Sequence, residues 1–248
     1  MTVKVFLATA TVALGLMAVP AFAEEAPAPA VTPANAAAPP SAADLLFEQP
    51  QMRNAAPGST ITYDYLRRSG IAKGPFGAPL QDTVTLKVEK PTVAEKGGAG
   101  TPSADARDIA VTMFSGLNRV PAGPFEDMTG NPIVSLFFEN HLRALAKVLE
   151  ANPRYLKLAI RRGLRERAAV TPVKVKVGDR EVDGWQVVTR PFAGDPMTER
   201  MRGLDDLTYT VVTSPAVPGE IVSMEAASRS KDGGELLQEK LNYDPKAG

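Results

Sequence analysis

NPIVSLFFENHLRALAKVLEANPRYLKLAIRRGL, residues 131–164, is the stretch on which the fold turns. Val134, Phe138, Leu142, Leu145 and Leu149 recur at helical spacing, and Ile133, Leu136, Phe137 and Val148 widen that stripe. An apolar face this broad predicts a largely buried helix. Asn131-Pro132 starts it, because Asn caps and proline suits the first helical position. Asn152-Pro153 repeats the device and opens a second helix with a narrower stripe of Leu156, Ile160 and Leu164. The two helices abut around Glu150-Ala151-Asn152, which requires a tight turn.

On either side of this stretch the period is two, the signature of half-buried strands. Ile61, Tyr63 and Tyr65 alternate with Thr60, Thr62 and Asp64; Val84, Leu86 and Val88 alternate with Thr85 and Lys87; Ile109, Val111 and Met113 form a third set. After Ala168, Val173, Val175 and Val177 lead into Gly178-Asp179, a two-residue hairpin turn. That turn sets Lys174 opposite Asp183, Val175 opposite Val182 and Lys176 opposite Glu181, so charges and apolar groups each face their complements. The alternation breaks at Gly184, and a bulge there is expected to return Trp185 to the core. Further strands are expected at 207–213, 220–226 and 235–243, with glycine-rich loops between the first three strands at 70–79 and 91–107.

Strands, then helices, then strands predict an α+β domain, not an alternating parallel fold. The expectation is a single curved antiparallel sheet of about eight strands, a half-barrel, packed on two central helices.

Ahead of this domain lie two segments of different character. Residues 1–23 have the form of a signal peptide: Lys4, an apolar run from Val5 to Val19, the breaker Pro20 and the A-x-A site Ala21-Phe22-Ala23. The run is shorter than the roughly 20 residues that span a bilayer. Residues 24–44, EEAPAPAVTPANAAAPPSAAD, are too poor in large apolar groups to order themselves and are expected to be a disordered Ala/Pro-rich linker. Residues 45–248 then form the single folded domain. The expected location is periplasmic or secreted, soluble after cleavage.

Composition narrows the chemistry. The 248 residues hold 28 basic and 28 acidic side chains, one histidine and no cysteine. Balanced charge gives no field for nucleic acid. The lack of cysteine excludes disulfides, thiolate metal sites, a thiol nucleophile and a lipoprotein anchor. A single histidine, His141, disfavours multi-histidine metal sites and most histidine-based catalysis; no cofactor or metal is expected. Asp179, Glu181, Asp183 and Gly184 imitate the start of a calcium loop, but its twelfth position is Arg190 and the segment suits a hairpin. Glu199, Asp205 and Asp206 offer carboxylates for a hydrolase only if they converge in a pocket. His141 itself is expected at the edge of the core, hydrogen-bonded.

The second helix is locally unusual. Arg154, Lys157, Arg161 and Arg165 step by three and four, and six cations face one acid between Pro153 and Arg167. Such a stripe suits anionic lipid headgroups or an acidic partner.

Three stretches, TITYDYLRRSG with PFGAPLQDTVTLKV, the helical segment quoted above, and YTVVTSPAVPGEI, carry a resemblance over Leu46 to Asp244 to a family of exported proteobacterial proteins with no assigned activity. In element order the chain is also similar to the half-barrels of periplasmic lipoprotein carriers (LolA-like and LolB-like), which hold acyl chains between a sheet and helices. This likeness implies no particular residues. The functional expectation is a non-catalytic periplasmic binding or carrier protein for an apolar ligand, a lipid above all, lined by Tyr63, Tyr65, Phe137, Phe138, Leu142 and Trp185. The alternative is an envelope assembly or interaction module that meets a partner or membrane through Arg154, Lys157, Arg161 and Arg165.

Overall fold

The computed structural model describes residues 38–70, 76, 78–92, 103–230 and 232–247. The expected signal peptide and residues 24–37 of the expected linker lie outside the described residues, as do 71–75, 77 and 93–102 of the two expected loops.

The last residues of the expected linker already belong to the fold. Ser41 Oγ accepts from the Asp44 amide at 3.0 Å while Asp44 accepts from the Ser41 amide at 3.1 Å, a reciprocal cap. The helical turn Asp44–Glu48 follows, and Ala42, Leu45 and Leu46 are buried in the core. An average over the Ala/Pro-rich segment hid the Ser-x-x-Asp signal at its end.

Nine strands follow: β1 Thr60–Ser69, β2 Leu80–Glu89, β3 Arg107–Met113, β4 Phe125–Met128, then β5 Ala169–Val177, β6 Arg180–Thr189, β7 Thr208–Thr213, β8 Ile221–Arg229 and β9 Glu235–Tyr243. They form one fully antiparallel sheet in the order β4-β3-β2-β1-β9-β8-β7-β6-β5. The α+β class and antiparallel pairing are as expected. The strand count rises to nine because β4 carries two acids at its centre and no alternation to reveal it. The sheet is neither closed nor strongly curled, so the expected half-barrel becomes an open sheet.

This order imposes a route. First and last strands pair in the middle, so β4 and β5 are the two edges. The chain between them must cross the whole face, about 38 Å at the usual strand spacing. Helix α1, Pro132–Leu149, and helix α2, Pro153–Arg162, make that crossing. Facing them are rows of side chains that run across the strands. Tyr65, Leu241, Met224, Val211 and Val187 are successive register partners in one row. Arg67, Glu239, Ala226, Tyr209 and Thr189 form the next.

The β5–β6 hairpin has the predicted register, with Lys174, Val175 and Lys176 opposite Asp183, Val182 and Glu181. Lys174 and Asp183 are ion-paired at 2.6 Å. Pairing continues without a bulge through Val173↔Gly184 and Pro172↔Trp185. The bulge is unnecessary because the covered face changes along the strand. Near the turn the face of Val175 and Val182 is the covered one, ending in buried Val177, whereas beyond Gly184 the opposite parity of Trp185, Val187 and Thr189 faces the core. Gly184 is required where it stands, since a Cβ there would lie 2.5 Å from the carbonyl oxygen of Thr213.

The helix starts follow the Asn-Pro signals. Asn131 Oδ1 accepts from the Ile133 amide at 3.0 Å, and Asn152 Oδ1 accepts from the Arg154 amide at 2.9 Å. The caps differ in what else they hold. Asn152 is exposed. Asn131 is buried; its Nδ2 donates to Tyr63 Oη and the Gly219 carbonyl, and its amide donates to Gln51 Oε1. Replacing Asn152 with Ala is expected to cost about 1 kcal/mol, the usual value of a cap. Asn131→Ala should cost about 2–4 kcal/mol, because the cap is lost and buried partners are stranded. Urea unfolding of both variants measures the difference, and equal losses would contradict the role given to Asn131.

Candidate functional site

On α2 the stripe of Leu156 and Ile160, extended by Leu164 in the turn Gly163–Arg167, is buried. Lys157 and Arg161 follow Leu156 and Ile160 by one residue, about 100° around the helix. They therefore flank the stripe. On α1, Phe137 and Phe138 are likewise about 100° apart. Phe137 turns to the sheet and is buried, while Phe138 turns to the flank and is only partly buried.

These directions create a groove between the helices on their outer side. Its volume is about 280 Å³. Phe138, Leu142, Ile160 and Leu164 form the apolar part, Phe47 from the N-terminal turn borders it, and Lys157, Arg161 and Arg165 stand at the rim. Phe47 is 43% exposed, unusual for a large apolar ring next to a buried turn. A second hollow of about 600 Å³ continues the seam toward the α1–α2 turn and shares Glu139, Leu142 and Lys157 with the groove. Arg154 lines this second hollow. Among the described residues, none of Arg154, Lys157, Arg161 and Arg165 joins an ion pair, although their neighbour Arg162 pairs with Glu166 at 3.8 Å.

Thus Phe138 and Leu142 of the expected lining meet the expected basic stripe in one seam. Tyr63, Tyr65, Phe137 and Trp185 do not join it. Tyr63 supports Asn131, Tyr65 supports Glu239, Phe137 stacks on His141 at 6.3 Å, and Trp185 packs on the core from β6. The opening lies outside the helix pair and not beneath it, because Tyr63, Tyr65, Phe76, Phe137 and Tyr209 fill the space under α1. Phe47 lies in a single helical turn at the start of the domain, too short to show a periodic pattern, so no signal in the sequence points to it.

Beneath α1 lies a second polar feature. His141 is 0% and Glu239 1% exposed, and His141 Nδ1 lies 2.7 Å from Glu239 Oε2. Tyr65 Oη donates to Glu239 Oε1 at 2.6 Å, with Asn140 Nδ2 at 3.4 Å from the same oxygen. Burial alone would push the Glu239 carboxyl up, but the hydrogen bond and charge of His141, the Tyr65 hydroxyl and the charge of Arg67 outweigh it and hold the group below its ordinary range. Glu239 is therefore ionised and accepts only, so the proton in its bond to His141 is on Nδ1. Burial and the Glu239 charge push the Tyr65 and Tyr209 hydroxyls up, keeping both neutral. His141 is therefore in the core, not at its edge. Glu239 was not singled out from sequence; the available signal was an acid between Leu237 and Leu241 on an inward-facing register.

The carboxylates considered for hydrolysis are placed differently. Asp206 is ion-paired with Arg190 at 2.6 Å, and Asp205 shares its short helical turn Leu204–Asp206. Among the described residues no group of three or more His, Cys, Asp or Glu side chains is arranged to hold a metal ion, and the calcium-like segment is the β5–β6 hairpin. No described helix is long and apolar enough to cross a membrane. Comparisons of the chain with protein-family models, curated proteins and solved structures give no match.

Removing the partner of a buried, hydrogen-bonded carboxylate typically costs about 3–5 kcal/mol, more than replacing both groups. His141→Leu and Glu239→Leu should each be strongly destabilising, and the double variant less so than the sum of the two. Because the folded Glu239 pKa is depressed, its contribution is present above the unfolded carboxylate pKa of about 4.3 and is lost as pH falls through the folded value. Urea midpoints between neutral and acid pH should fall more steeply for the native chain than for the double variant. Parallel pH profiles, or strictly additive losses, would contradict the pairing.

Proposed function

We propose that this protein is an exported, non-catalytic binding or carrier protein that seats an apolar chain, a lipid above all, in the seam between α1 and α2. The observation carrying this reading is the apolar groove of Phe47, Phe138, Leu142, Ile160 and Leu164 bordered by Lys157, Arg161 and Arg165, none of which has a carboxylate partner among the described residues. An apolar trough with unneutralised cations at its lip is complementary to an amphiphile with an anionic head. Three cations facing water gain little from each other, and like charges on one helix face are mildly repulsive. An anionic partner removes that repulsion.

The full chain, isolated without detergent, is expected to carry lipid. Native mass spectrometry should record adducts above the polypeptide mass, and an organic extract should contain the same lipid. Leu142→Glu places a charge in the apolar seat and should lower occupancy about tenfold while leaving the fold intact. A bare polypeptide mass with a lipid-free extract would overturn the proposal.

A second reading is favoured by one further observation: Arg154, Lys157 and Arg161 on α2 and Arg165 on the helical turn that continues it are all exposed. Each cation near an anionic bilayer contributes about 1 kcal/mol, so this face is suited to transient contact with a membrane surface or an acidic partner. Changing all four to Glu should abolish co-sedimentation with anionic vesicles without altering thermal unfolding. Unchanged sedimentation would remove this reading and leave the groove untouched.

A further inference from the structure

The hollow that continues the groove toward the α1–α2 turn has a different chemistry. Arg143 and Lys147 reach it from α1, Arg154 and Lys157 from α2, and Glu139 is the only acid in its lining. All four cations are exposed, and among the described residues none is ion-paired. The carboxylate nearest in sequence to this end, Glu150 at the turn, is engaged by Arg202 at 3.2 Å. Arg143 and Lys147 are four apart on α1, and Arg154 and Lys157 three apart on α2, so each pair is a like-charge pair on its own helix. Two helices therefore converge four repelling charges on one hollow, with a single acid to offset them.

We infer that this hollow is a binding site for a phosphate-type anion: the phosphomonoester head of an amphiphile whose chain lies in the adjoining groove. A phosphomonoester carries close to two negative charges at neutral pH and three strong acceptor oxygens. It answers several cationic donors at once, where a carboxylate offers one charge and two oxygens. The two compartments share Leu142 and Lys157, so head and chain of one molecule reach both. Glu139 stands on the shared border and is the one charge in the lining that opposes the anion, against four cations that favour it. The placement of the chain rests on the groove proposed above; the anion site does not.

Calorimetric titration of the full chain at low salt, with decyl phosphate, decanol and inorganic phosphate, separates the two. Decyl phosphate should bind about tenfold or more tightly than decanol, the worth of at least one charge-assisted contact. In a chain carrying Arg143→Glu and Lys147→Glu, that advantage should vanish while decanol binding stays unchanged. The Arg143→Gln, Lys147→Gln pair should weaken it in the same direction and guards against misfolding of the reversed variant. Inorganic phosphate binding that both variants lose, with neither decyl compound preferred over it, would support the anion site as one for free phosphate and count against the apolar seat. Equal affinity for decyl phosphate and decanol would overturn the anion site and leave the groove standing. Failure of both phosphate compounds to bind would overturn it as well.

Discussion

A carboxylate in the middle of a covered sheet face has to be answered. Glu239 lies on β9, in the centre of the nine-strand order, with its side chain on the face that α1 covers. An isolated charge there would cost several kcal/mol in desolvation. His141 descends from α1 to meet it at 2.7 Å, and Tyr65 meets its other oxygen from β1. These contacts fix the rotation and the position of α1 along its axis, since only one helical register brings His141 over Glu239. Hydrophobic packing alone is more tolerant, because Leu and Phe neighbours exchange contacts at small cost when a helix slides. The buried polar group thus adds specificity to an interface whose stability is chiefly apolar.

Once α1 is set by His141 at its middle and by Asn131 at its start, α2 has little freedom. The left-handed turn at Glu150 reverses the chain within a few residues. α2 then lies beside α1, buried only along Leu156, Ile160 and Leu164. Because Phe137 faces inward, Phe138 faces the seam, and the groove is the outcome of that one rotation. The cations follow for the same reason: a narrow apolar stripe on α2 leaves its flanking rows in water, where arginine and lysine stems can cover apolar surface with their heads solvated. The edges of the sheet are managed separately. β5 carries Pro172, Lys174 and Lys176, and β4 is only four residues long, both of which discourage strand addition.

Local signals were legible wherever neighbouring residues alone decide the outcome. The Gly178-Asp179 turn and its charge pattern set the hairpin register, and the two Asn-Pro pairs set the helix starts, through interactions that span a few residues. The basic stripe was visible by spacing on one helix. Trp185, Tyr63, Tyr65 and Phe137 were expected to line a ligand site because they are large, apolar and adjacent to a predicted core. Size and polarity cannot tell a residue that fills space from one that borders an opening. Phe47 and Glu239 were overlooked for the converse reason, since each takes its meaning from a partner far along the chain.

By itself the sequence determined the α+β class, the antiparallel pairing, the two helix starts, the hairpin register and the absence of cysteine chemistry. These depend on periodicity, capping and turn geometry, all of which act over short distances. Tertiary structure alone decided that the first and last strands join at the centre of the sheet, that the helices must cross from one edge to the other, and that the opening lies outside the helix pair. The reason is that strand order and helix rotation are set by contacts between residues tens to more than a hundred positions apart, such as Asn131 with Gly219 and Tyr65 with Glu239. No local pattern encodes which of the available apolar faces will be the one left uncovered.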